Sequence, residues 1–165
     1  MTILVKNKQT LQIDEFTFRC CIGKKGSTKN KIEGDKKTPI GNFKIENLYF
    51  RKDRLKKPST TLKCVEIKKN MGWCDDPNSK FYNKQIKIKK NLKIGHEKLY
   101  RKDHKYDFFI LIKYNYKNPI KLKGSAIFLH LTKNYLPTKG CIALCKKDFL
   151  ILTKLINKKT KIKIN

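Results

Sequence analysis

Carboxylates are scarce in this chain: 13 Asp and Glu stand against 41 Lys and Arg in 165 residues, a formal charge of +28. Such a surface is drawn to polyanions through counterion release, which is the best compositional argument for a nucleic-acid binder. The Lys residues run evenly from Lys6 to Lys163, however, and are mixed with many Asn and Ile, as a chain-wide bias would have it. Long apolar runs are also missing. The start, Met1 to Lys8, is too short in apolar residues for a signal-peptide core, and no window reaches the length of a membrane span. The expectation is a water-soluble chain with no visible export signal. There is no internal repeat and no Gly/Ser or Pro linker, so one domain over residues 1–165 is expected. Aromatic residues are not interleaved with the lysines of Lys84 to Lys93, as a single-strand stacking platform would need; that stretch reads as a strand with one solvated basic face.

Six cysteines are present, Cys20, Cys21, Cys64, Cys74, Cys141 and Cys145. A chain of this length does not need a disulfide framework, and most of them are expected as buried small hydrophobes. Thr2 to Val5, Thr10 to Ile13 and Phe16 to Ile22 are short β-prone runs spaced as in a meander. Gly23 to Gly41 is rich in turn formers and reads as a long surface loop, after which Asn42 to Ile45 resumes alternation. The middle holds the alternating runs Leu62 to Ile67 and Gln85 to Ile88 around an irregular piece, Met71 to Asn78. Tyr106 to Asn115 and Ser125 to Leu131 are apolar β-type runs, like central strands covered on both sides. Asp148 to Asn157 has apolar residues at helical spacing with Asp148 near its start, and a closing strand follows over Thr160 to Ile164. The expected fold is mainly β with one late helix.

The chemistry gathers between Ser125 and Leu144. His130 stands near the end of a core strand, and Cys141 lies just past Thr138-Lys139-Gly140, eleven positions on. A cysteine nucleophile needs a base or cation to make its thiolate and backbone N–H donors aimed at the oxyanion. His130 can take the thiol proton or hold an ion pair with the thiolate; Gly140 lets the backbone turn tightly, so that its N–H and that of Cys141 converge; Lys139 adds positive charge. Spacing alone leaves core or surface roles open for this His and this Cys.

The segment resembles the signature of the YkuD-like L,D-transpeptidases, a His followed some way on by Ser/Thr-x-Gly-Cys. Glu33-Gly34-Asp35 with Thr38-Pro39-Ile40-Gly41-Asn42-Phe43 is similar to the family's Gly/Asp/Thr-Pro-x-Gly-x-Phe loop. Gly72 to Pro77, His96 to Tyr100, Tyr106-Asp107, Tyr114-Asn115 and Gly124 to His130 resemble one subgroup in the same order. Two positions depart from the commoner pattern: Lys139 stands where a His is usual, and Ala143 where an Arg or Asn follows.

The resemblance implies a β-sandwich-like L,D-transpeptidase catalytic domain acting on peptidoglycan stem peptides. In that scheme Cys141 is the nucleophile and His130 the general acid and base, while the backbone at Lys139, Gly140 and Cys141 holds the oxyanion and Thr138 belongs to the site turn. The thioester formed with a tetrapeptide stem passes to an amine, or to water in a carboxypeptidase. No metal and no organic cofactor are expected, nor a specific nucleic acid, and the chain is expected as a monomer. The family acts at the cell wall, which leaves the compartment open for a chain without a visible signal.

Substrate contacts are expected from Tyr114 and Asn115 at the end of a core strand, from Trp73, and from His96. For each a bland role competes: a packed indole, a turn-capping imidazole, a strand end. Asp75 and Asp76 read as a solvated turn before Pro77. A zinc site built on Cys141, Cys145 and His130 lacks a fourth ligand at similar reach. Two other functions stay open, a basic nucleic-acid-binding β-domain and an inactive wall-binding module that kept the fold.

Overall fold

Alternation at the two ends of the chain brings them side by side. In the computed structural model, which describes residues 1–165, strand β1 (Thr2–Lys6) continues into β2 (Thr10–Ile13) and β3 (Phe16–Arg19), an antiparallel meander. Short pairs follow, β4 (Ser27–Thr28) and β5 (Thr38–Pro39), and then the long β6 (Gly41–Phe50). The middle holds β7 (Cys64–Glu66), β8 (Met71–Cys74), β9 (Gln85–Lys87) and β10 (His96–Lys98). The last part holds β11 (Phe108–Ile112), β12 (Phe128–Leu131), β13 (Ile142–Leu144), helix α1 (Lys146–Leu155) and β14 (Lys161–Ile164). In β14 the lysines face out and the isoleucines in, the period-two pattern of a half-buried strand, and it pairs in parallel with β1.

The main sheet has the order β13-β12-β11-β6-β14-β1-β2-β3, with β7 on the side of β6. Its two ends meet. Beyond β3, Cys21 pairs with Ala143 of β13 through two backbone bonds of 3.0 and 2.9 Å, so the sheet is nearly closed. The molecule is therefore mainly β with a single helix near the C-terminus, as the residue pattern led one to expect.

Two apolar clusters lie on the two faces of β11 and β12. Phe108, Ile110 and Ile112 with Leu129 and Leu131 point into the enclosed core, which Phe149 and Leu152 of α1 help to fill. Phe109, Leu111 and Phe128 point the other way, onto Trp73, Tyr49 and Tyr106. The three-stranded sheet β10-β8-β9 supplies Met71 and Trp73 to this outer layer. Every residue of β11 is buried, which is why that segment is apolar at every position.

Three segments differ from the sequence reading. The helix begins and ends two residues earlier than Asp148 to Asn157, because Cys145 takes an extended N-cap and Ile156 leaves the helix to be buried. Asp148 lies in its first turn. Met71 to Cys74 is a fully buried strand and not an irregular piece, held by β9 and β10 on either side. The stretch 23–41 is more than a surface loop: Lys31 and Thr38 within it are buried at 3% and 0% exposure.

Candidate active site

Parity in the sheet decides which way the candidate side chains face. β12 and β13 run parallel with Leu129 opposite Ile142 and His130 opposite Ala143. Leu129 and Ile142 both enter the enclosed core, so His130 and Cys141 share the opposite face with Phe128. Both line one cavity of about 1170 Å³, and so do Thr138, Lys139, Gly140 and His96.

The turn that presents Cys141 is built on Thr138. Its Oγ1 donates to the Cys141 carbonyl at 2.6 Å and accepts from the Gly140 N–H at 3.0 Å. Its own backbone is clamped by the segment after β3, since Thr138 N–H donates to Ile22 O at 2.9 Å and Lys24 N–H to Thr138 O at 2.9 Å. Gly140 has φ of +140°, and a Cβ there would stand 2.9 Å from Lys37 O, so the position needs glycine on both counts. The Gly140 N–H is thus engaged by Thr138, contrary to its expected role as an oxyanion donor. The Cys141 and Lys139 N–H groups make no hydrogen bond and remain free to donate.

Cys141 is 8% exposed. Its thiol donates to Ala126 O at 3.1 Å, and its sulfur accepts from Phe128 N–H at 3.3 Å. Burial, with the Glu97 charge adding to it, pushes the thiol up to about 12, against smaller downward pulls from the Phe128 N–H, Lys31 and Tyr106. His130 is 6% exposed, and burial lowers it to about 4, with the charges of Lys105 and Arg101 acting in the same sense. Its Nδ1 lies 2.9 Å from Leu131 O; a carbonyl can only accept, so Nδ1 carries the proton and Nε2 is the free acceptor. The resting pair is a neutral thiol and a neutral imidazole rather than an ion pair.

The cation that bears on the thiol is Lys31, not Lys139. Lys31 is tied to Asp35 and donates to Ile32 O at 3.1 Å. Although burial opposes it, the Asp35 carboxyl is held below its usual range by the Ile32 and Lys37 N–H groups and by Lys31. Lys139 is exposed and acts on Glu97.

The other sequence candidates divide. His96 lines the cavity, with Nδ1 2.6 Å from Ile94 O. Trp73 does not: it is fully buried, edge-on to Phe128 at 5.1 Å, and its N–H donates to Asn83 Oδ1 at 2.9 Å. Tyr114 lies off the cavity too, its hydroxyl donating to Lys123 O and its ring packed edge-on to Phe43 at 5.4 Å. Asn115 closes the loop 115–124 through bonds to Ile120 and Gly124. All three are structural because their polar atoms are satisfied by neighbouring chain rather than offered to a ligand. Asp75 lines the cavity beside His96.

No role is read from the sequence for Lys31, Glu33, Arg101, Tyr106 or Ser125, all on the cavity wall; Glu97, also there, reads in the sequence only as an acid/base partner for its neighbour His96. Glu33 accepts from the Tyr82 hydroxyl at 2.5 Å and the Ser125 hydroxyl at 2.7 Å. Glu33, Tyr106 and Ser125 have no signal beyond lying within the family-like pieces, and Lys31 and Arg101 lie outside those pieces. No group of three or more His, Cys, Asp or Glu is placed to hold a metal ion.

A family model described as the YkuD, L,D-transpeptidase catalytic domain, matches residues 1–164. No curated protein matches the chain. Among solved structures, the crystal structure of the helical cell shape determining protein Pgp2 from Campylobacter jejuni is similar over 99% of this chain, with a TM-score of 0.52 and 17% identity. A lysine-to-alanine mutant of that protein gives a TM-score of 0.51, also at 17% identity over 99% of this chain and 46% of the mutant chain. At that identity the likeness speaks for the fold, and this chain spans 46% of the length of the Pgp2 chain.

Proposed function

The chain belongs to the YkuD family of L,D-transpeptidase catalytic domains, and on that premise we propose that it is a cysteine acyltransferase acting on peptidoglycan stem peptides. The observation that carries the reading is the shared face of β12 and the turn before β13, where His130 and Cys141 open into one cavity and the Lys139 and Cys141 N–H groups have no hydrogen-bond partner. Residues 1–165 act in this reading as one catalytic domain, which suits the pairing of β1 with β14. The likeness to a cell shape determining protein agrees with a role in the wall.

The reaction follows from the groups present. His130 Nε2 takes the proton of the Cys141 thiol as the sulfur attacks the carbonyl carbon of the third stem residue. The carbonyl oxygen becomes an oxyanion and is met by the Cys141 N–H, with the Lys139 N–H as second donor. Collapse breaks the C–N bond, the imidazolium returns its proton to the leaving amine of the terminal D-alanine, and a thioester remains on Cys141. An amine from a second stem then gives a cross-link, and water gives a trimmed tripeptide. His130 accepts a proton from either nucleophile and returns it to the sulfur.

Because the thiol is neutral at rest, proton removal and attack belong to one step, and a substrate that misplaces its carbonyl leaves the sulfur unreactive. The test is intact-mass spectrometry of the protein with a tetrapeptide stem or a carbapenem, beside Cys141→Ala. An adduct in wild type alone supports the acyl-enzyme, and the released products separate transfer from hydrolysis. Folded protein that forms no adduct with either reagent would sink the enzyme reading and favour a wall-binding module. Retention of nucleic acid through moderate salt would instead favour the basic binding domain.

A further inference from the structure

Three groups that this mechanism leaves unused meet on the cavity wall, one of them against His130. Tyr106, 5% exposed and just ahead of β11, sets its ring edge-on to His130 at 5.3 Å and to Phe128 at 5.7 Å. Its hydroxyl donates to Glu97 Oε1 at 2.8 Å. Arg101 Nη1 reaches the same oxygen at 3.4 Å, and the guanidinium carbon lies 5.0 Å from the centre of the phenol ring. Glu97 is the middle residue of β10, paired with Trp73 of β8, so the strand holds its carboxylate at the cavity wall that Cys141 also lines.

We propose that Tyr106, Glu97 and Arg101 form a positioning device for the proposed acyl transfer: Tyr106 fixes the His130 ring by edge contact and, as Cys141 loses its proton, turns its hydroxyl from Glu97 to the sulfur. This rests on the reading of Cys141 as nucleophile. No O–H bond breaks in the turn; the thiol proton goes to His130, the phenol keeps its own, and Glu97 keeps Arg101 as its partner. A phenol is suited to this because its hydrogen swings about the C–O bond while the ring stays packed.

Tyr106 packs with Cys141 in one apolar cluster, and both line the same cavity. The Glu97 charge pushes the Cys141 thiol up and Tyr106 pulls it down, so the two side chains act on the sulfur in opposite senses. Glu97 itself is raised by burial, and the Tyr106 hydrogen bond and Arg101 only partly offset this. With its hydroxyl on Glu97 the phenol leaves the thiol protonated, and with it on the sulfur the thiolate gains a donor. The device gives Cys141 a protected state between turnovers and an assisted one during attack.

The test separates this device from the acylation reading by using a small alkylating agent as well as a stem peptide. Cys141 modification by iodoacetamide is followed against pH by peptide mapping in wild type, Tyr106→Phe and Glu97→Gln. Tyr106→Phe keeps the ring on His130 and removes the donor; the expected result is alkylation about tenfold or more slower at pH 8, with the profile moved to higher pH. Glu97→Gln removes the opposing charge, and alkylation is expected to be about tenfold faster with the profile moved down. Superimposable profiles in the three proteins, or a shift in the same direction in both variants, would overturn the proposal. Shifts as stated in a protein that forms no adduct with stem peptide or carbapenem would uphold the device and remove the acyl-transfer reading instead.

Discussion

The pH dependence of acylation tests most directly the neutral resting pair. With the thiol near 12 and His130 near 4, the reactive form, neutral imidazole beside protonated thiol, prevails between those limits. Acylation by a carbapenem should therefore be flat from about pH 5 to about pH 10 and fall on the acid side as His130 takes a proton near pH 4. His130→Gln removes the base. On the order of one thiol in 10⁵ is ionised at pH 7, and that fraction alone would then react. The rate at pH 7 should drop by about 10² to 10⁴ and climb about tenfold per pH unit toward alkaline pH. Stopped-flow acylation, with circular dichroism confirming the fold at each pH, gives both curves. An acid limb in wild type at the ordinary imidazole value of about 6.5 would refute the reasoning, since it would mean that burial does not depress His130.

The same depression has a stability consequence. His130 has a lower pKa folded than unfolded, so the unfolded chain binds the proton first; its contribution is whole above about pH 6.5 and is lost as pH falls toward about 4, worth about 3 kcal/mol in all. Urea titrations across that window should show the loss in wild type and a shallower slope in His130→Gln. Gly140→Ala forces a side chain into positive φ and against Lys37 O; it should cost about 1–3 kcal/mol and slow acylation about 100-fold through the displaced turn, as unfolding and adduct kinetics would report. Trp73→Phe removes the bond to Asn83 and leaves a small void behind Phe128, so the urea midpoint should fall by the equivalent of about 1–3 kcal/mol while acylation of the folded protein is unchanged. Tyr114→Phe should leave the Michaelis constant for a stem peptide where it was, because the hydroxyl bonds Lys123 O and not the cavity; a large rise would restore Tyr114 to the substrate site.

What could be read from the residues depended on whether a segment carries its own periodicity. Lys161 to Ile164 alternates, Phe108 to Ile112 is apolar throughout, Phe128 to Leu131 is apolar but for His130, and each is the strand that its pattern implies. β8 and β10 have no such pattern; they are strands because Glu97 finds Trp73 and His96 finds Cys74 across a ladder that exists only in the folded chain. The candidate turn stood out because Thr138-Lys139-Gly140-Cys141 downstream of His130 resembles a family signature, whereas the spacing of one His and one Cys alone left core or surface roles open. The roles of the flanking candidates were not legible. Trp73, Tyr114 and Asn115 each carry polar atoms that could serve a ligand or the backbone, and only the partners Asn83, Lys123 and Gly124 decide between these. Lys31 was hidden in a different way, as one lysine in a chain crowded with them, until burial beside Asp35 set it apart.

The bridge between Cys21 and Ala143 makes the reactive turn the seam of the sheet. Thr138 is clamped by Ile22 and Lys24, and Cys21 Sγ donates to Leu136 O across 115 positions of chain. Contacts of such span carry a loop-closure cost and slow folding. A chain whose first strands have frayed would hold Cys141 and His130 without the backbone clamp on Thr138. On the proposed function, the thiol is aimed only in a chain whose first strands are in place.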